Sequence, residues 1–407
     1  MIRSELNYAF SSLALLALVS VCFTLPRTGH AESVADREEQ IVLRIVEEQA
    51  KNGAHSESLI EPLTDLGLLY RERGRNTLAT AALEQARQVV RANYGLNALE
   101  EAPLIRQIIR NEEAVGRIES AWKLEQRLIQ LARRHPKDPR TVPILHEVAD
   151  KRMDVLRRYE SGEIPEEIVL GCYYRPSPYA LTNCRSGERS VVVRSLLAEA
   201  WRHYGDAIRV LLRNEDYSSA ELRGLEMQLV ESSYRYGALD IGEKSLQRLL
   251  AYDVANNEPL MTRARSLLKV ADWSVLEANA ENRFFELEST LDTYRQLREM
   301  LVRDGVSQDA IDDFFSPPLP IVLPTFLPNP LAPDERSESD GYVDVSFIVT
   351  TRGYADRVRA VSRSKNLSRA DERKVERLIE RLTFRPRITD GKLADSEPFL
   401  LRYYVND

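Results

Sequence analysis

Chemistry in this chain would have to come from its histidines, cysteines and carboxylates, and their spacing limits what they can do. His55, His135, His146 and His203 are scattered, with no H-E-x-x-H arrangement that would place two imidazoles on one helix face. There is no G-x-S-x-G elbow to raise a serine nucleophile and no glycine-rich loop to cradle a phosphate. Carboxylates are plentiful, but they alternate with Arg and Lys along helical stretches, and ion pairing on helix surfaces accounts for them. The sequence therefore predicts no catalytic residue, no metal site and no cofactor.

The cysteines point to structure rather than reaction. Cys172 and Cys184 bracket "CYYRPSPYALTNC", a turn-rich loop. A zinc site would need His or further Cys nearby, and a redox pair would need C-x-x-C. Neither is present, so the pair reads as a structural disulfide, worth roughly 3 kcal/mol for a loop of this size. That reading needs an oxidising compartment, and the N-terminus supplies one. Arg3 precedes the apolar run "AFSSLALLALVSVCFTL", and Gly29 and Ala31 occupy the small positions a signal peptidase requires. Residues 1–31 are expected to be a signal peptide cleaved after Ala31, with Cys22 leaving in it, and the mature chain is expected in the periplasm. The alternative is an uncleaved anchor of about the minimum length that spans a bilayer.

The elements that would position any site are mostly helical. The 407 residues are 29% charged and 43% apolar, ordinary for a soluble globular protein, and the net charge of −7 argues against general nucleic-acid binding. From 38 to 305 the pattern has helical period. Its clearest unit is "EPLTDLGLLYRERGRNTLATAALEQARQVV", with Leu63, Leu66, Gly67, Tyr70, Gly74, Ala79, Leu83 and Ala86 at signature positions. Small residues at Gly67, Ala79 and Ala86 allow two antiparallel helices to approach, larger ones fill the space around them, and Gly74 sits at the turn. This unit resembles the tetratricopeptide repeat. Gly116 and Ala121 repeat the spacing of Gly74 and Ala79, and weaker units surround Gly237 and Gly242, and Ala271 and Trp273. Residues 161–190, with the cysteine pair, interrupt this order as a disulfide-closed insertion. The Pro-rich segment 314–340 carries Phe314, Phe315, Ile321, Val322, Leu323, Phe326 and Leu327, too apolar for a freely solvated linker. Its first half is expected to lie against the helical body.

Residues 341–407 change period. "GYVDVSFIVTTRGYADRVRAV" alternates as two strands around a turn at Thr351, Arg352 and Gly353. Ser368 is placed to cap a helix whose apolar face is Val375, Leu378, Ile379 and Leu382. After a turn at Asp390-Gly391 the chain ends in "PFLLRYYVND", with Phe399, Leu401, Tyr403 and Val405 on one face and Leu400, Arg402 and Tyr404 on the other. Strand-strand-helix-strand order, Gly353 at the strand turn, Phe384-Arg385-Pro386 after the helix, Gly391 and an aromatic final strand together resemble the TonB C-terminal domain. The predicted fold class is thus mainly α, a helical-repeat (TPR-like) solenoid followed by a small α+β TonB-C-like domain.

The resemblance implies a periplasmic docking domain. In such domains an extended segment of an outer-membrane receptor can pair with the final strand, here Phe399 to Val405. The implied partners are proteins of the bacterial envelope, an outer-membrane receptor or another periplasmic protein. An available edge also fits pairing with a second copy. Two recognition modules without chemistry between them predict a protein-protein interaction adaptor. The alternative is a membrane-anchored TonB-like energy transducer for outer-membrane transport, which needs the N-terminal segment retained. Between Gly341 and Asp407 there are 14 basic and 10 acidic residues, and Arg369, Arg373, Lys374, Arg377 and Arg381 cluster on the module's helix. A solvated face or an acidic protein partner explains them.

Overall fold

The structure is a computed structural model and describes residues 29–163, 189–214, 218–280, 287–315, 320–327, 329–331, 341–389 and 392–405. The cysteine pair, the proposed signal sequence before Gly29 and the Asp390-Gly391 turn lie outside the described residues. The chain divides after Asn214 into two compact units.

The first unit is built of helical hairpins. After α1 (Gly29–Asn52) come α2 (Ile60–Glu72) and α3 (Asn76–Tyr94), α4 (Ala102–Ala114) and α5 (Ile118–Arg134), and α6 (Val142–Glu160) and α7 (Arg189–Leu211). The first helix of each hairpin ends the same way. Gly74, Gly116 and Gly162 adopt φ of 69°, 74° and 80°, in the left-handed region that a side chain resists. The following amide then bonds back to the last turn: Arg75 N to Tyr70 O, Arg117 N to Glu112 O and Glu163 N to Arg158 O. Gly74 and Gly116 are 42 positions apart, as are Gly53 and Gly95 between hairpins. The period is therefore longer than the ~34 residues of the tetratricopeptide unit. The small residues act as expected. A Cβ on Gly67 would lie 2.6 Å from Leu83 Cγ and 3.3 Å from Ala79 O, so α2 and α3 pack at a distance only glycine permits.

One expectation needs correction. Several carboxylates are not on helix surfaces: Glu101, Glu112 and Glu125 in this unit, and Glu226, Asp253 and Asp272 in the next, are at most 5% exposed. Their spacing matches that of the surface acids, which is why sequence did not separate them. Each is buried with its own donors, as the cost of desolvating a carboxylate demands. Glu101 takes Arg91 at 2.9 Å and Arg127 at 3.1 Å, joining α3 to α5. Glu125 meets Arg152 at 2.8 Å, and Arg152 reaches Glu199 at 2.9 Å, joining α5, α6 and α7. Beside this cluster His203 is 2% exposed. Burial, with the charges of Arg152, Arg133 and Arg202, pushes its imidazole down to about 4, so it stays neutral.

The second unit holds two more hairpins, α8 (Ser219–Arg235) with α9 (Leu239–Ala255) and α10 (Leu260–Ala280) with α11 (Leu287–Arg303), then α12 (Gln308–Phe315). Gly237 and Gly305 repeat the cap described above. A Cβ on Gly242 would meet Trp273 at 2.2 Å, and Trp273 Nε1 donates to Leu239 O at 3.1 Å. The strands are β1 (Val322–Leu323), β2 (Tyr342–Val349), β3 (Ala355–Arg363), β4 (Thr383–Phe384), β5 (Arg387–Thr389), β6 (Lys392–Ala394) and β7 (Phe399–Tyr404), with α13 (Arg369–Glu380) after β3. The main sheet has the order β3-β2-β7, all antiparallel. Val343, Val345, Phe347 and Val349 face inward with Leu401 against Val375 and Ile379 of α13 and Phe384. Ser368 caps α13 as expected, in a reciprocal box with Asp371. The predicted fold class holds: helical repeats of TPR-like hairpins, then a small strand-strand-helix-strand module, to which β4 and the β5-β6 hairpin are added.

Residues 320–327 and 329–331 of the Pro-rich segment are woven into this unit. Ile321, Leu323 and Phe326 pack with Trp273 and Tyr294 of the helices, Phe326 stacking on Trp273 at 6.3 Å. Val322 and Leu331 enter the core of the terminal module instead. β1 pairs with β4, Val322 opposite Phe384, and Arg385 N donates to Ile321 O at 2.9 Å. Beneath that pairing Arg385 crosses to α10. Its Nε and Nη2 donate to the two Asp272 oxygens at 2.7 and 2.6 Å, and Tyr294 Oη donates to Asp272 Oδ1 at 2.8 Å. Burial alone would lower the Arg385 pKa, but the Asp272 charge and hydrogen bonds leave it raised, and burial beside Asp272 holds the Tyr294 hydroxyl far above its ordinary range.

Candidate functional site: the rim strand of the terminal module

β7 is at one rim of the main sheet, and among the described residues no strand pairs with its outer side. The register fixes which backbone groups are left over. Val405 N donates to Gly341 O at 3.1 Å, and Tyr403, Leu401 and Phe399 stand opposite Val343, Val345 and Phe347. Antiparallel alternation then turns the N–H and C=O groups of Leu400, Arg402 and Tyr404 away from β2, toward the open rim. The opposite rim is blunted at one amide. Ala360 N on β3 donates to Glu376 Oε1 of α13 at 2.8 Å. β3 is also broken by register shifts, with Arg357 at a φ of 53°. These are devices by which proteins blunt a strand edge, and among the described residues β7 shows neither a register shift nor such a cap.

The side chains beside the open rim are ordered. Arg402 lies on the outer face of the sheet, its guanidinium 3.9 Å from the Tyr342 ring centre. It donates to both oxygens of Asp344, at 2.8 and 3.2 Å. Ser362 Oγ donates to the same carboxylate at 2.6 Å, so the contact crosses all three strands. Hydrogen bonds from Arg402 and Ser362 hold the Asp344 carboxyl below its usual range, and Asp344 in turn raises the guanidinium. This arrangement lays Arg402 across the sheet face toward β2. Leu400 beside it is a large apolar side chain that is 68% exposed.

The structure thus places the predicted residues Phe399, Leu400, Leu401, Arg402, Tyr403, Tyr404 and Val405 along one rim, with 399, 401 and 403 inward and 400 and 402 outward. The predicted pair Cys172 and Cys184 lies outside the described residues. Sequence reasoning missed Tyr342 and Asp344. Their signal was the polar alternation of β2, but only the register with β7 shows that they meet Arg402. It also missed a groove of about 470 Å³ in the first unit, lined by Thr77, Thr80 and Glu84 of α3, Glu112 of α4, and Arg117 and Lys123 near the start of α5. Among the described residues no group of His, Cys, Asp and Glu is placed to hold a metal ion, and no helix is long and apolar enough to cross a membrane.

No protein-family model and no curated protein matches the chain. Among solved structures it is similar to BtubC (BKLC) from P. vanneervenii, at 12% identity over 76% of this chain and 98% of that one, with a TM-score of 0.35. It is also similar to a Podosopora anserina putative kinesin light chain with nearly identical TPR-like repeats, at 14% identity over 62% of this chain and 99% of that one, TM-score 0.31. A point variant of the latter gives 13% identity over 61% of this chain and 97% of that one, with a TM-score of 0.30. Superpositions this loose bear on neither partner nor site.

Proposed function

We propose that the protein is a protein-protein interaction adaptor whose terminal module takes an extended segment of a partner protein along β7. The observation that carries this is the unpaired rim at Leu400, Arg402 and Tyr404, set against the capped rim of β3. A strand added there gains main-chain hydrogen bonds, and Leu400 and Arg402 select among its side chains. A second copy fits less well, because the fully overlapped antiparallel register would set Arg402 against Arg402. The helical hairpins supply the scaffold, and helical repeats of this kind bind protein partners. The TonB-like strand order and the N-terminal segment support a periplasmic setting, with an envelope protein as the partner.

Displayed peptides selected on the whole chain test the reading. The expected result is slowed hydrogen exchange at the Leu400, Arg402 and Tyr404 amides when a selected peptide binds. Binding should be lost in Leu400→Pro, which removes an outward N–H without breaking the β2 ladder. Bound peptides that leave these amides unchanged would refute it. The mass of the protein recovered from its host tests the setting: a chain beginning at Glu32 supports the free periplasmic adaptor, and one retaining Met1 supports the anchored transducer.

A further inference from the structure

α13 carries Arg369, Arg373 and Arg377 at four-residue steps, and Arg381 follows at its C-cap. All four are exposed. Residues four apart are neighbours on the helix surface, ~6 Å apart along the axis and turned by ~40°, so the four positions follow a ridge that rises ~18 Å while winding about a third of a turn. Among the described residues none of the four is in an ion pair. Their hydrogen bonds run along the helix itself, Arg373 Nε to Arg369 O and Arg377 Nε to Arg373 O, at 3.4 and 3.2 Å.

The helix's own acids are engaged elsewhere. Asp371 bonds Ser368 and Lys374, Glu372 pairs with Arg363, and Glu376 accepts from Ala360 N. Only Glu380 stays exposed near the row's end. Helix stability does not account for the pattern either. Cations suit a helix C-terminus, which covers Arg377 and Arg381, but Arg369 stands in the first turn, where the macrodipole disfavours it. This row sits on a chain whose net charge is −7.

We propose that the row Arg369, Arg373, Arg377 and Arg381 docks an acidic, extended segment of a partner protein, independently of the β7 rim. Alternate side chains of an extended segment repeat every ~6.6 Å, close to the spacing of the row. Guanidinium forks match carboxylates two bonds at a time. A lipid surface fits less well because the row carries no large apolar side chain to insert. A nucleic acid fits less well because α13 offers no aromatic side chain on which a base could stack.

The test is fluorescence anisotropy on the whole chain at low salt, with a labelled peptide of alternating Glu and Ser. Binding is expected, weakening steeply with added salt. It should fall by about tenfold or more in Arg369→Gln/Arg373→Gln/Arg377→Gln, and hold in the exposed control Arg110→Gln. Circular dichroism of the triple variant checks that α13 persists. No binding by the wild type, or equal binding by the triple variant, overturns the proposal. So does tighter, row-dependent binding to phosphatidylglycerol vesicles or to a single-stranded oligonucleotide.

Discussion

Replacing Arg385 by Met should destabilise the second unit by far more than a substitution at an exposed arginine of the same module. Asp272 is 4% exposed and Tyr294 1%. Without the guanidinium, Asp272 would keep one neutral donor, Tyr294, for a buried charge. Breaking a buried pair from one side costs about 3–5 kcal/mol. For a unit of this size ~1 kcal/mol moves the midpoint by roughly 2–4 °C, so the transition should fall by roughly 6–20 °C. Asp272→Asn should cost a similar amount, because it leaves the buried Arg385 guanidinium without its counter-charge. The triple variant Asp272→Leu/Tyr294→Phe/Arg385→Met removes the three polar side chains together and should recover most of the loss. Calorimetry on the whole chain reads the midpoints, and hydrogen exchange assigns the transition to the second unit. A shift within about 2 °C in Arg385→Met would refute the argument, since Asp272 would then be reaching water.

Two other measurements follow from packing and titration. Gly242→Ala should cost about 1–3 kcal/mol, because its Cβ would overlap Trp273 and Ser233 Oγ, whereas Gly224→Ala, in open space on the same unit, should stabilise by about 0.5–1 kcal/mol; urea midpoints compare them, and equal effects would contradict the close approach. His203 has its ordinary value of 6.5 lowered to about 4 in the folded chain. Between these values the unfolded state holds the proton and the folded state does not, so stability is lost as pH falls through that window. The wild type should lose on the order of 3 kcal/mol relative to His203→Gln between pH 7 and pH 4, read from urea unfolding; parallel pH profiles for the two proteins would count against a buried neutral His203.

The helical hairpins were legible because their signals are local. Gly74, Gly116 and Gly237 each announce a turn within a few residues, and Gly67 and Ala79 announce a close approach. The main sheet was legible for the same reason, from the alternation of Val343 to Val349 and of Phe399 to Val405. What sequence left hidden is long-range. Asp272 and Arg385 are 113 residues apart, and each alone looks like one more charged residue on an amphipathic element. The capped rim of β3 depends on Glu376 reaching back to Ala360, which no period or propensity encodes. The open rim of β7 is legible only once β2 is known to sit between β3 and β7, because either outer strand could have been the free one.

The pairing of β1 with β4 bears on how such a chain could be inherited or rebuilt. A gene fusion joined at Gly341 would carry away the three-stranded sheet but leave behind Val322 and Leu331, two of the side chains that close its interior. It would also leave Phe384 without its opposite strand and Arg385 without Asp272. The piece that can be shuffled intact therefore starts upstream of the prolines, near the boundary after Asn214, and carries two helical hairpins with it. Any lineage that exchanged this terminal module between proteins would have had to pass its helical footing along in the same block of sequence.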